Sequence, residues 1–259
     1  MPELDALLRF AHEILDETDA IAAQLFRGEL TITAKHDRTL VTQADTGVEQ
    51  RLRDRIAAAF PGHGIVGEEF GTEPGDGETR WIIDPIDGTH NFVRGIPVWA
   101  TLVALERAGQ LVMGLASAPA LGTRWAATVG GGARMRTAQD ERPIGVSRIA
   151  TMGEAQLLGS SLRAMDRAGL GAGLVRSVNA AWRDRGFGDF WGYALVAQGA
   201  AEAMVEVGPT IWDLAAPYVL VTEAGGRMTD LEGRLSWNGP RVLATNGLLH
   251  DEVLSLLVA

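Results

Sequence analysis

The stretch Trp81-Ile82-Ile83-Asp84-Pro85-Ile86-Asp87-Gly88-Thr89 constrains the fold more than any other part of this chain. Its apolar start reads as a buried strand that stops abruptly in two acids three positions apart. Pro85 cannot continue a central strand and Gly88 permits a tight turn, so the backbone can bend while both carboxylates face one point. Hard cations such as Mg²⁺ take a few carboxylates, retained waters and substrate phosphate oxygens as ligands. The bend exposes one more oxygen of that kind, the Ile86 carbonyl. Capping of the next turn is the bland alternative, and an isolated D-x-x-D-G leaves both readings open.

Two other segments repeat the arrangement. Gly67-Glu68-Glu69-Phe70-Gly71 places acids at the end of a second short apolar run, residues 64–67, and Thr210-Ile211-Trp212-Asp213 places an acid in the first turn of a predicted helix. Alone, Asp213 needs no ligand, since a carboxylate near a helix N-terminus is stabilised by about 0.3 to 1 kcal/mol. Glu69 reads as solvated or at the rim and ranks below Glu68.

Around these acids the chain alternates helix and strand patterns. Leu4, Leu7, Leu8, Ala11, Ile14, Leu15, Ile21 and Leu25 recur at helical spacing until Gly28. A second helix is expected over 45–60, capped by Thr42 or Asp45, with Val48, Leu52, Ile56 and Phe60 on its buried face. Residues 98–118 read as a hairpin turning at Ala108-Gly109, and 123–136 as another around Gly130 to Gly132. The first part, 1–145, is therefore α+β and the second, 146–259, is α/β, with helices at 188–199 and 212–224 flanking a strand at 203–207. Gly169 to Gly173 reads as a flexible loop. Pro217 falls inside the last of these helices, where it costs about 3 kcal/mol unless the helix kinks or starts later.

Composition removes several function classes. There are 33 Asp plus Glu against 23 Lys plus Arg, a formal charge of −10, so no broad basic face is available for nucleic acid. With no cysteine, thiolate nucleophiles, Cys-bound zinc and disulfides are excluded. The charged start and the lack of any run of about 18 apolar residues predict a soluble, cytoplasmic protein without a membrane partner. Asp84 and Asp87 are three apart, which is not the D-x-D of aspartyl-phosphate phosphatases, and a G-x-x-x-x-G-K-[ST] loop and an H-E-x-x-H helix are missing. His12, His36, His63, His90 and His250 are scattered and read mostly as surface residues, with His90 alone near the acids.

Taken together, GEE, WIIDPIDGTHNF and WDLAAPYVLVTEAGG resemble, in order and separation, the three signature blocks of the inositol monophosphatase family, within the lithium-sensitive sugar-phosphatase superfamily. The likeness spans residues 5–257. It implies a layered α/β sandwich (αβαβα, fructose-1,6-bisphosphatase-like), a homodimer, and hydrolysis of a small phosphorylated metabolite with two or three Mg²⁺ ions, Mn²⁺ substituting. By that resemblance Glu68, Asp84, the Ile86 carbonyl, Asp87 and Asp213 are metal ligands. Glu68 and Thr89 are catalytic with Asp45 backing the Thr89 hydroxyl, and Gly88 and Thr89 meet the phosphate. Asp45 has a plainer role too, as a helix cap.

The leaving group is read elsewhere. Arg185, Gly188 and Asp189, in Arg185-Gly186-Phe187-Gly188-Asp189-Phe190-Trp191-Gly192-Tyr193, occupy the place where family members contact it, and Glu206 matches a further acid that does so, beside Asp213. An acid flanked by aromatics, together with Phe92 to Ala100, looks like the bacterial histidinol-phosphatase branch. Histidinol phosphate carries an ammonium and a partly protonated imidazole, which Asp189 and Glu206 would pair with. Inositol 1-phosphate or a broader set of sugar or nucleotide phosphates is the alternative, and a non-catalytic phosphate sensor is the reading of another class. Phe190 and Trp191 read as core more readily than as a ring face for substrate, and Arg185 as a phosphate contact or a plain salt bridge.

Overall fold

The computed structural model describes residues 2–34 and 40–259. An eight-stranded sheet runs from Glu141–Ile144 through Gly132–Thr137, Thr123–Thr128, Gln110–Ala118, Ala100–Arg107 and Thr79–Asp87 to Gly64–Gly67 and Gly71–Glu73. A five-stranded sheet has the order Arg183–Arg185, Gln156–Gly159, Ala203–Val207, Arg241–Thr245, Arg227–Asp230. Helices Pro2–Leu25 and Gln43–Ala59 cover the outer face of the larger sheet. Helices Asp189–Ala197 and Ile211–Glu223 lie between the two sheets, and Gly171–Ala180 with His250–Val258 covers the far side. These five layers are the expected αβαβα sandwich.

The layering explains why the site strand reads as apolar without a break. Its Trp81 and Ile83 point into the cluster formed with Ile14, Leu52 and Ile56, whereas Ile82 points into the inner cluster with Leu214 and Val219. Both faces are covered, so period-2 alternation carries no polar positions. The inner helix comes very close: a Cβ on Gly114 would lie 2.5 Å from the Ala216 carbonyl oxygen. Every strand of the larger sheet precedes residue 145 and every strand of the smaller follows it, yet the inner cluster joins residues from both.

Three expectations need correcting. The strand Thr79–Asp87 does not stop at Pro85. Asp84 lies opposite Leu102 and Asp87 opposite Ala100, so one extra residue is accommodated as a β-bulge. The Thr101 hydroxyl donates to the Pro85 carbonyl at 2.8 Å. Residues three apart on a regular strand face opposite sides; the extra residue restores a common side for both carboxylates.

Pro217 lies inside a helix that starts at Ile211 and neither ends nor begins later on its account. The N–H it lacks is the one that would have bonded the Asp213 carbonyl. Gly169 to Gly173 is not a loop: helix Gly171–Ala180 begins there, and Gly173 lets it meet the last helix, since a Cβ would fall 2.0 Å from the Leu257 carbonyl oxygen.

Candidate metal centre and active site

Strands Gly64–Gly67 and Thr79–Asp87 run parallel with Gly67 level with Ile83, so their ends bring Glu68 beside Asp84. The third acid arrives from the inner layer. Thr210 caps helix Ile211–Glu223 in a reciprocal box: Asp213 Oδ2 accepts from the Thr210 N–H at 2.6 Å and its hydroxyl at 2.8 Å. Carboxylate oxygens of Asp84, Asp87 and Asp213 then lie within 4.8 Å of one another.

Helix Gln43–Ala59 starts on the same device, with Thr42 as cap and Asp45 closing the box. Asp45 Oδ2 is occupied by the Thr42 N–H and hydroxyl, at 2.7 and 2.6 Å, while Oδ1 lies 3.1 Å from the Thr89 hydroxyl. That hydroxyl also stands 3.0 Å from the Ile86 carbonyl. Asp45 is thus both cap partner and backing group. Gly88 precedes Thr89 with φ +86°, a conformation that glycine adopts without strain.

Glu68, Asp84, Ile86, Asp87, Gly88, Thr89 and Asp213 open on one cavity of about 950 Å³, with Asp45 hydrogen-bonded to Thr89 behind its lining. Gly188, Asp189 and Glu206 also line it, with Trp191 and Trp212 as apolar wall. Asp189 opens helix Asp189–Ala197 at φ +55°, and Asn91 Nδ2 donates to its Oδ2 at 3.3 Å. A non-glycine residue held in that region points to a constrained, functional position. Asp87 Oδ2 accepts the Phe190 N–H at 2.7 Å, which ties the three-acid cluster to this helix start.

Among the described residues the cavity lining is strongly acidic, with His90 as its single basic side chain. Glu68, Asp84, Asp87, Asp189, Glu206 and Asp213 line it, and no Lys or Arg does so among the described residues. Burial, reinforced by Glu68, Asp87 and Asp213, pushes Asp84 well above the usual carboxylate range. Burial raises Asp87 likewise, with Asp189 and Asp213 adding to it. Glu206 is pushed up to about 7, mainly by burial and against the opposing hydrogen bond from Tyr193. Asp84 Oδ1 is buried with no hydrogen-bond partner. An orphaned carboxylate oxygen inside a cluster of hard oxygen donors is what a divalent cation site requires, so these residues fit such an ion.

Besides Asp45, which backs the lining, one expected site residue is not brought to the cavity. Arg185 sits on the exposed edge strand Arg183–Arg185 and donates to the Asp184 carbonyl. The aromatic pair divides: Phe190 is core against Trp125, whereas Trp191, packed on Phe187 with ring centres 4.7 Å apart, lines the cavity. His90 is exposed at the rim, His250 is fully buried instead of superficial, and His36 lies outside the described residues. Sequence reasoning missed Tyr193, whose phenol reaches Glu206. An aromatic one helical turn after Asp189 carried no signal that it would point at another acid.

The profile of the Inositol monophosphatase family matches residues 3–259. The chain belongs to the inositol monophosphatase family. Its similarity to the histidinol-phosphatase of Streptomyces coelicolor is 42% identity over 263 residues, covering 99% of this chain and 98% of that protein. For the histidinol-phosphatase of Mycobacterium tuberculosis the figure is 44% over 255 residues, covering 97% and 98%. The solved structure of extragenic suppressor protein suhB from Bartonella henselae superposes with a TM-score of 0.90 at 27% identity, covering 98% of each chain. As an inositol monophosphatase family member the chain is a phosphatase of phosphate monoesters, in a family that depends on metal.

Proposed function

We propose that this chain hydrolyses histidinol phosphate to histidinol and phosphate, as a step of histidine biosynthesis. The observation that carries the reading is the pair Asp189 and Glu206, two further carboxyl groups lining the cavity, with no Lys or Arg beside them among the described residues. A neutral polyol would leave both uncompensated, whereas the ammonium and imidazolium of histidinol offset their burial. The likeness to two proteins named histidinol-phosphatase supports the same substrate.

Glu68, Asp84, the Ile86 carbonyl, Asp87 and Asp213 would hold two or three Mg²⁺ ions, with Mn²⁺ as substitute. Such ions lower the pKa of water and neutralise phosphate oxygens. The chain's own part is to aim and confine. Thr89 donates its proton to Asp45 Oδ1 and so offers its oxygen lone pairs to a proton of the attacking water. The N–H groups of Gly88 and Thr89 face the phosphate. Asp189, fixed by Asn91, and Glu206, fixed by Tyr193, take the cationic end of the leaving group. Water adds to phosphorus as the bond to the alcohol oxygen breaks.

The same reading has residues 1–145 carry most ion ligands and 146–259 the specificity residues, in a cytoplasmic homodimer inhibited by Li⁺. The deciding experiment compares kcat/KM for histidinol phosphate, inositol 1-phosphate, fructose 1,6-bisphosphate and adenosine 3′,5′-bisphosphate at saturating Mg²⁺. A preference for inositol 1-phosphate would overturn the histidinol assignment and leave the phosphatase in place.

A further inference from the structure

Glu68 sits on the short turn between strands Gly64–Gly67 and Gly71–Glu73, with Phe70 exposed at its tip. Beneath it, helix Gln43–Ala59 presents Glu49, 0% exposed, whose carboxylate reaches up to the turn backbone. Oε2 accepts the Glu69 N–H at 2.8 Å and Oε1 the Phe70 N–H at 3.1 Å. Arg53, one helical turn further on and 5% exposed, donates to Oε1 through Nε and Nη2, both at 2.9 Å. The same guanidinium donates to the Gly71 carbonyl and, at 2.9 Å, to Glu73, so it grips the far side of the turn as well. Gly67 makes room: a Cβ there would lie 2.1 Å from Glu49 Oε1.

We propose that Glu49, held by Arg53, is a positioning residue that presets the turn carrying Glu68 for its ion. The inference rests on the reading of Glu68 as a metal ligand. A buried ion pair is a poor source of stability, because desolvating two charges offsets most of their attraction, and an apolar pair of equal size would fill the space as well. What an apolar pair cannot do is accept two consecutive N–H groups at the base of Glu68. Asp45 and Glu49 are four residues apart and share one helix face, so one helix backs Thr89 through the first and the Glu68 turn through the second.

The test uses Glu49→Gln, the double variant Glu49→Met/Arg53→Met, which removes both charges at similar volume, and Glu68→Gln as reference. Each is melted by circular dichroism, titrated with Mg²⁺ by calorimetry, and assayed against Mg²⁺ concentration. Expected for both Glu49 variants is a folded protein whose Mg²⁺ affinity and half-activating Mg²⁺ concentration worsen by about 10- to 100-fold, with kcat at saturating Mg²⁺ retained within about threefold. If the double variant fails to melt cooperatively, Glu49→Gln decides alone. Wild-type Mg²⁺ affinity in a folded Glu49 variant, with Glu68→Gln weakened, overturns the positioning role and leaves the ligand role standing. Unchanged affinity in Glu68→Gln removes the ligand role and the positioning role with it.

Discussion

The phenol of Tyr193 donates a 2.7 Å hydrogen bond to Glu206 Oε2, and both groups are buried between the two sheets. The bond fixes one oxygen of the acid and opposes the rise in its pKa that burial brings. Tyr193→Phe removes the donor and leaves the ring. We expect KM for histidinol phosphate to rise about 3- to 10-fold, the size of one ordinary hydrogen bond, because the phenol acts on substrate only through Glu206. KM for an uncharged sugar phosphate should stay the same, and equal losses on both would make Tyr193 a packing residue only.

Asp189→Asn tests the neighbouring acid. Loss of about 1.5 to 3 kcal/mol of charge-assisted bonding corresponds to roughly a 10- to 150-fold increase in KM for histidinol phosphate. The ratio of kcat/KM between this substrate and inositol 1-phosphate, taken at saturating Mg²⁺ in wild type and variant, isolates the effect from loss of the ion. A ratio that does not move would assign Asp189 to the support of the helix start.

For Asp87→Asn the expectation is a folded protein with activity reduced by roughly 100-fold or more, since a neutral amide is a poor ligand for a hard cation. Turnover at the wild-type rate in Mg²⁺ would remove Asp87 from the ligand set. Li⁺ should inhibit the wild type, and raising Mg²⁺ should relieve it.

Stability has its own pH signature in His250. Its ring lies buried between the Thr229 and Thr245 hydroxyls, at 2.9 Å from each, and burial with Arg227 nearby holds its pKa at about 4. The unfolded chain, near 6.5, binds the proton more readily. This contribution is therefore complete above pH 6.5 and is lost as pH falls towards 4, on the order of 3 kcal/mol across the window. Melting wild type and His250→Gln at pH 7 and pH 5 in metal-free buffer should show the gap between them narrowing at acid pH. A constant gap would place the effect elsewhere.

Much of the site was legible in the sequence because its acids lie where an apolar run ends or a helix begins, features that local pattern reveals. Asp84, Asp87 and Asp213 meet as expected, and Glu68 joins them through strand register. What stayed hidden depends on contacts distant in sequence. Glu49 and Arg53 look like an exposed i, i+4 pair until the Glu68 turn is laid over them. Arg185 sits beside the specificity segment in sequence, yet the edge strand carries it away from the cavity. The glycine-started helix at Gly171 was misread, and Pro217 wrongly cast doubt on the bounds of a helix that was otherwise expected, for a related reason: packing against Leu257 and Gly114 outweighs local propensity.

The two capping boxes give each carboxylate a division of labour. In Asp45 and Asp213 alike, Oδ2 is spent on the helix start, and in Asp45 the other oxygen faces Thr89. Both carboxylates are therefore fastened by the same bonds that begin two helices, one on the outer face of the larger sheet and one between the sheets. Fraying of either first turn would dismantle the centre before the rest of the molecule loosened. Ligands that occupy the centre should in turn lock both helix starts, so amide hydrogen exchange at residues 42–46 and 210–214 ought to slow when Mg²⁺ and phosphate bind.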